Sequence, residues 1–389
     1  MVDLLAVNGP LRKILRRAPH AAIRMGLPPA RLGYRWVEKR PLDARSAADA
    51  GGTYEILEPS RHERHALPSN VPDREALPDD AGWWGYSFRD VPSRLSGETA
   101  LVTLPDATIA FARDARGNLH PGLLARGDVA LSTREIDLRA HHAPQLRRPD
   151  RTRLQSAVWI WERVYDNYSH WLTAHMPKLC LLRDLGRLQD LVLPAVRPGF
   201  VDESLRAFGV DPAGARIVPL DKPLEVRSLT LLVTDRFRPD LLRAAREAMG
   251  VPSAQTPDRK IYVSRRGAKV RRLVNEEDVW PLFRKAGYER VEMETLDFAA
   301  QRDLMGRTRA LAGPHGAGLT NQLFCPPGAS VIEIADLGFP NPNFYAMAAG
   351  LGHDYAVVRA TATGDGPMLF RDLRVDPELV REALRGMPS

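Results

Sequence analysis

The chain has 389 residues, with 55 Lys and Arg against 48 Asp and Glu and a formal charge of +7. Two cysteines, Cys180 and Cys325, exclude a disulfide framework, and no apolar run is long enough to cross a bilayer as a helix. Residues 1–50 hold ten basic residues and four acids, so six of the seven net charges sit there and the rest is nearly neutral, whereas a nucleic-acid binder carries its basic face on the folded body. A reducing, cytoplasmic setting without a signal peptide is the expectation.

Leu11-Arg12-Lys13-Ile14-Leu15-Arg16-Arg17 is a basic amphipathic patch, suited to an anionic membrane surface or to a solvated arm. Pro59, Pro68, Pro72 and Pro78 mark an irregular connection. Thr99 to Ala112 predicts two strands with Pro105-Asp106 as the turn between them, and Gly117-Asn118 marks the next turn. Asn167 or Ser169 caps a helix that carries Trp171, Leu172, Met176, Leu179 and Leu182 to Gly186, kinked or split at Pro177. On that helix His170 and His175 are five residues apart and share no face, which argues against a metal pair.

From Arg259 onward, strands alternate with short helices. Strands are expected at 260–264, 290–293, 308–312, 330–335 and 355–359. Between them lie a helix capped by Asn275 and closed by Gly287, another capped by Asp297, and a third near Phe344 to Ala349. This pattern predicts a parallel sheet covered on both faces, with ligands bound at the carboxyl ends of its strands.

The run Leu311 to Ile334 holds one such end. Gly316 and Gly318 flank Ala317, where a helix begins, and its first amides lack internal partners and carry the positive end of the dipole. An anion is stabilised there, with His315, Thr320 and Asn321 adding polar groups at the same mouth. The competing reading is a helix packed tightly on a sheet. Gly313, Gly316 and Gly318 give G-x-x-G-x-G, which is neither the dinucleotide fingerprint nor a Walker loop. An oxidoreductase or epimerase using a dinucleotide is correspondingly disfavoured.

Arg259 to Arg266, Asn275-Glu276, Gly313 to Asn321, Pro327-Gly328 to Glu333, and Asn167-Tyr168-Ser169-His170-Trp171 with Pro177 together resemble glycosyltransferase family 61. The resemblance covers about residues 95 to 360 and leaves the first 90 residues uncovered. It implies an α/β fold of GT-B type: two Rossmann-like lobes with parallel sheets facing across a cleft, here preceded by a basic N-terminal arm. The corresponding division is an arm at 1–50, an acceptor lobe at 51–255 and a nucleotide-sugar donor lobe at 256–389. It implies inverting transfer from a nucleotide sugar, UDP-linked in the first instance, to a capsular or other surface polysaccharide or a lipid-linked saccharide. No obligatory metal and no other cofactor are implied, and the basic arm is a candidate for peripheral contact with the inner face of the membrane. A non-catalytic nucleotide-sugar-binding partner in a synthesis complex is the alternative.

With the resemblance in hand, His315, Gly316, Ala317 and Gly318 are expected to cradle the donor diphosphate, helped by Thr320 and Asn321. Arg265 and Arg266 end a strand at the same edge and suit the charge of the leaving group. Glu333 is costly inside an apolar strand without a partner, either ribose hydroxyls or a buried arginine. For the base that takes the acceptor proton, His170 is the first candidate and Asp166 the second, with Glu162 and His175 beside them. Trp159, Trp161 and Trp171 are expected mostly in the core.

Overall fold

The computed structural model describes residues 38–82, 84–113, 117–126, 129–138, 150–250 and 256–387. The basic patch Leu11 to Arg17 and the expected lobe boundary at 255 lie outside the described residues. Residues 38–50, counted above with the arm, are built into the body: strand Lys39–Pro41 pairs with Ala130–Ser132, and helix Ala44–Asp49 follows, capped by Asp43.

The first part is built on a seven-stranded sheet. Its order is Lys39–Pro41, Ala130–Ser132, Leu119–Leu124, Thr99–Arg113, Leu224–Val233, Thr152–Trp159, with Thr53–Glu58 also pairing with Thr99–Arg113. This sheet is mixed, which departs from the parallel sheet expected in this half. Thr99–Arg113 runs antiparallel to three neighbours, and only the two outer pairs are parallel. The expected turn at Pro105-Asp106 is instead a kink inside one long strand. Asp106 takes a left-handed φ of 46°, the ladder with Leu224–Val233 skips it, and pairing resumes at Ala107.

The helical stretch after Trp159 shows how Pro177 is accommodated. Asn167 caps it, its Oδ1 accepting from the amides of Ser169 (3.0 Å) and His170 (3.3 Å). Trp171–His175 then forms a π-helical turn before the α-helix Met176–Asp184. Pro177 thereby falls in the first turn of the second segment, where its missing N–H costs least.

The second part matches the alternation expected of it. Its sheet runs Glu289–Val291, Arg259–Val263, Thr308–Pro314, Ser330–Asp336, Asp354–Thr363, Asp372–Val375, all parallel except the last pair. Both faces are covered, and the side chains alternate accordingly. Tyr262, Ala312, Ile332 and Ile334 pack under helices Glu276–Lys285 and Pro377–Gly386. Ile261, Val263, Leu311 and Val331 face the other way, into a core that runs without a break from Leu42 to Val357. Glu333 lies two residues from Val331 on that inner face. Asp297 caps helix Phe298–Gly306 as expected. Asn275 does not cap its helix; its side chain pairs instead with both backbone groups of Val375 (2.8 and 3.1 Å).

Candidate active site

In chain order the strands of the second sheet lie 2-1-3-4-5-6, so the order reverses between Arg259–Val263 and Thr308–Pro314. The crevice beyond the carboxyl ends of these two strands is where open α/β sheets bind ligands. The H-G-A turn, His315 to Ala317, leaves one of them, and the loop Ser264 to Arg271 leaves the other. A cleft of about 1380 Å³ opens there, lined by Arg271, His315, Gly316, Ala317 and Asn341, and on the side of the first sheet by Asn167, His170 and Arg236.

The glycines of the turn answer to packing. A Cβ on Gly313 would lie 2.7 Å from the carbonyl of Val263, and one on Gly318 would lie 2.8 Å from Val263 Cγ1. On Gly316 it would collide with the guanidinium of Arg265. The segment that follows, Ala317–Phe324, is 3₁₀ rather than α-helical. Its register turns Thr320 and Asn321 into the interior, fully buried, and not toward the mouth expected for them. Asn321 Oδ1 accepts from Tyr168 Oη at 2.7 Å, and its amide donates to Gln301 at 2.8 Å. Gly318 sits against Val263 and lines no part of the cleft.

The two strand-end arginines separate. Arg265 reaches under Gly316 and donates to the carbonyls of Val270 (2.8 Å) and Arg271 (3.0 Å), so it shapes the loop. Arg266 is exposed and pairs with Glu292 at 2.5 Å, away from the cleft. Arg271, which sequence reasoning missed, is the cation of this loop that faces the cleft. Its backbone is left-handed at φ 55°, and its buried Nε has no hydrogen-bond partner. Burial, with Arg265 nearby, brings its guanidinium down to about 10. It sits in a loop without periodicity, so no pattern distinguished it from Lys269 or Arg272.

Glu333 pairs with no arginine among the described residues. It is wholly buried, accepting from Tyr355 Oη at 2.5 Å and pairing with His315 Nδ1. The imidazole tautomer follows from its neighbours. The amide of Asn343 donates to Asn341 Oδ1 (3.1 Å), so Asn341 Nδ2 faces His315 Nε2 (3.1 Å), leaving that nitrogen unprotonated and Nδ1–H for Glu333. Burial lowers the proton affinity of His315 and outweighs the opposing pull of Glu333. Asn343 Oδ1 in turn accepts from Tyr86 Oη at 2.9 Å, so the chain of hydrogen bonds crosses to the first part.

On the side of the first sheet, Val164 holds a left-handed φ of 62°, unusual for a β-branched residue, in the turn that presents Asn167 and His170. His170 lines the cleft, but its Nε2 accepts from Arg236 Nη1 at 3.3 Å, and its enclosed Nδ1 has no partner. Burial, then Arg236, holds its proton affinity well below the ordinary range. Asp166, the second candidate base, is exposed and lies outside the lining. Glu162 is tied to the buried Lys178, and His175 lies beside Trp161 and Trp171, with Nε2 accepting from the amide of Glu162. The three tryptophans are core residues whose indole N–H groups are all satisfied. Arg236, three residues past Leu224–Val233, was also missed, although a strand end is the place to look for such a residue.

Among the described residues, no three His, Cys, Asp or Glu side chains gather as a metal would require, and no helix is long and apolar enough to cross a membrane.

Comparison with known proteins gives this geometry a family. Residues 168–332 match the model described as Glycosyltransferase 61. Beta-1,2-xylosyltransferase XAX1 of Oryza sativa subsp. japonica is 32% identical over 130 residues, which are 32% of this chain and 22% of that one. The EGF domain-specific O-linked N-acetylglucosamine transferase of Drosophila melanogaster is 40% identical over 91 residues, 22% of this chain and 17% of that one. The chain thus spans about a fifth of the length of these relatives. Among solved structures, the bacterial iron-containing dodecameric glycosyltransferase TibC from enterotoxigenic E. coli aligns with a TM-score of 0.28 and 12% identity over 70% of this chain and 81% of that one, a likeness too slight to carry an argument. The segment 168–332, which holds His170, Arg236, Arg271 and the H-G-A turn, belongs to glycosyltransferase family 61.

Proposed function

We propose that this protein is an inverting glycosyltransferase of GT-B type, moving a sugar from a nucleotide-sugar donor, UDP-linked in the first instance, to a polysaccharide or lipid-linked saccharide. The observation that carries this reading is the turn His315 to Ala317 at the reversal of strand order, with the side chain of Arg271 in the same cleft. The donor diphosphate lies against the main-chain amides of Gly316 and Ala317, and Arg271 meets the charge that grows on it as the glycosidic bond breaks. Arg265 acts through the loop it shapes. The lobe of the first sheet receives the acceptor. Inversion requires the acceptor hydroxyl to attack opposite the leaving diphosphate, so the base belongs on the side of the first sheet, where His170 stands. His170 takes that proton at Nε2, after Arg236 releases it.

The reaction is tested by mixing the protein with candidate nucleotide sugars and acceptors and following nucleotide release. Arg271→Gln should raise the donor KM by roughly tenfold or more, and His170→Ala should lower kcat by about 10²-fold or more. Absence of UDP binding, or release unchanged in both variants, would end the proposal. The engagement of His170 Nε2 by Arg236 favours one rival, a nucleotide-sugar-binding partner without turnover. UDP binding with no transfer across a broad acceptor panel would select it.

A further inference from the structure

Besides Arg271 beside the turn, the cleft is lined by arginines on the side of the first sheet. Arg236 stands on the side of the first sheet. Its five guanidinium N–H groups are partly matched: Nε donates to Thr173 Oγ1 at 2.6 Å, Nη1 to His170 Nε2 at 3.3 Å, and Nη2 to Ser169 Oγ at 3.1 Å. All three partners are neutral, and two N–H groups remain. The nearby carboxylates are engaged elsewhere: Glu135 lies 3.4 Å from Arg163 and 3.8 Å from Arg134, and Glu162 pairs with Lys178. No ion pair joins Arg236 to a carboxylate among the described residues, although partly buried cations ordinarily have one. His170 beside it adds an enclosed Nδ1–H with no acceptor. Thr173, His170 and Ser169 each hold one nitrogen of the guanidinium, so the two N–H groups that remain are one on each Nη, and Arg236 lines the cleft.

We infer that Arg236 is an oxyanion subsite for the acceptor, which therefore carries a carboxylate or a phosphate close to the hydroxyl that is glycosylated. This rests on the donor reading above only in assigning the turn, and not Arg236, to the diphosphate. Two consequences follow from the chemistry. The two N–H groups left on Nη1 and Nη2 carry the positive charge with them, which suits a carboxylate or phosphate oxygen better than a neutral hydroxyl. An anion drawing Arg236 toward itself also loosens the hydrogen bond on His170 Nε2, so the acceptor that fills the subsite frees the base it needs.

The test uses the full chain and inorganic phosphate as the probe, titrated by calorimetry with and without saturating UDP, with the side-chain NMR signal of His170 as a local reporter. In the wild type, phosphate should bind in the presence of UDP and shift the His170 signal. Arg236→Gln should weaken that binding by roughly tenfold or more, Arg236→Lys should recover part of it, and Arg271→Gln should leave it unchanged while weakening UDP. Thermal unfolding of each variant checks that the fold is intact. Phosphate binding that UDP abolishes would place Arg236 in the donor site and overturn the inference, as would no phosphate binding at all or binding unchanged in Arg236→Gln. Acetate in place of phosphate separates the two acceptor chemistries: tighter binding of one names the group carried. Failure of UDP to bind, with phosphate still lost in Arg236→Gln, would sink the donor reading and leave this subsite standing.

Discussion

Single side chains decide the chemistry of this cleft through the groups behind them. His315 is held by Glu333 on one nitrogen and Asn341 on the other, and Glu333 is wholly buried with Tyr355 as its second donor. Glu333→Gln replaces one acceptor oxygen by an NH₂ that faces a donor. It should lower the melting temperature by the equivalent of about 1–3 kcal/mol and reduce kcat/KM by roughly tenfold or more, because the imidazole loses its fixed orientation. Loss of stability alone, with kcat/KM unchanged, would make the pair purely structural. The other buried histidines set a pH dependence. Burial brings His175 down to about 3 and His353 to about 4, against about 6.5 in the unfolded chain. Above that pH both states are neutral and contribute nothing. Below it the unfolded chain takes up protons that the folded chain refuses, so stability falls as pH falls, at up to about 1.4 kcal/mol per pH unit for each histidine. Denaturant midpoints at pH 7 and pH 5 should show this, and His353→Gln should flatten the slope by one histidine's share.

At the scale of elements, the strand–turn–3₁₀ unit is a packing solution that leaves a binding edge. Gly316 is small because the guanidinium of Arg265 occupies the space beside its Cα, and that guanidinium holds the carbonyls of residues 270 and 271. Gly316→Ala should therefore act at a distance. It displaces Arg265, releases the loop that carries Arg271, and weakens UDP binding along with a stability cost of about 1–3 kcal/mol. Gly328 provides the contrast: its φ is +76° and no atom lies near its missing Cβ. Gly328→Ala should cost about 1 kcal/mol through backbone strain and leave UDP affinity alone. Equal effects of the two substitutions on affinity would show that Arg265 does not shape the site.

Across the whole molecule, the two sheets share one core. Helix Pro239–Ala248 buries Leu242 and Ala245 in the same cluster as Leu311 and Val331 of the second sheet, and Tyr168 reaches Asn321 across the junction. Such continuity predicts one cooperative unfolding transition, with calorimetric and van't Hoff enthalpies in agreement, for a chain that is long by two-state standards. Tyr168→Phe leaves the buried Asn321 Oδ1 without its donor, which should cost about 1–3 kcal/mol and move the single transition as a unit. Two transitions, of which only one moves, would mean that the halves unfold independently.

Much of this was legible in one dimension because it rests on local physics. The period of apolar residues announced the second sheet, Asn167 and Asp297 announced their helices through the hydrogen bonds a cap must make, and Pro177 announced a break. The H-G-A turn was visible as a place where backbone comes close to something. What it comes close to was not visible: the neighbour is Arg265, brought there by the pairing of strands some fifty residues apart. Nor did the sequence distinguish Arg271 from Arg266, since the path of a loop depends on what its side chains meet. Thr320 and Asn321 were misplaced because a 3₁₀ register differs from an α register, and packing chose between them. Burial decided the rest. Whether a charge finds a partner depends on long-range contacts, and those alone left Arg236 without a carboxylate among the described residues and gave Glu333 to His315.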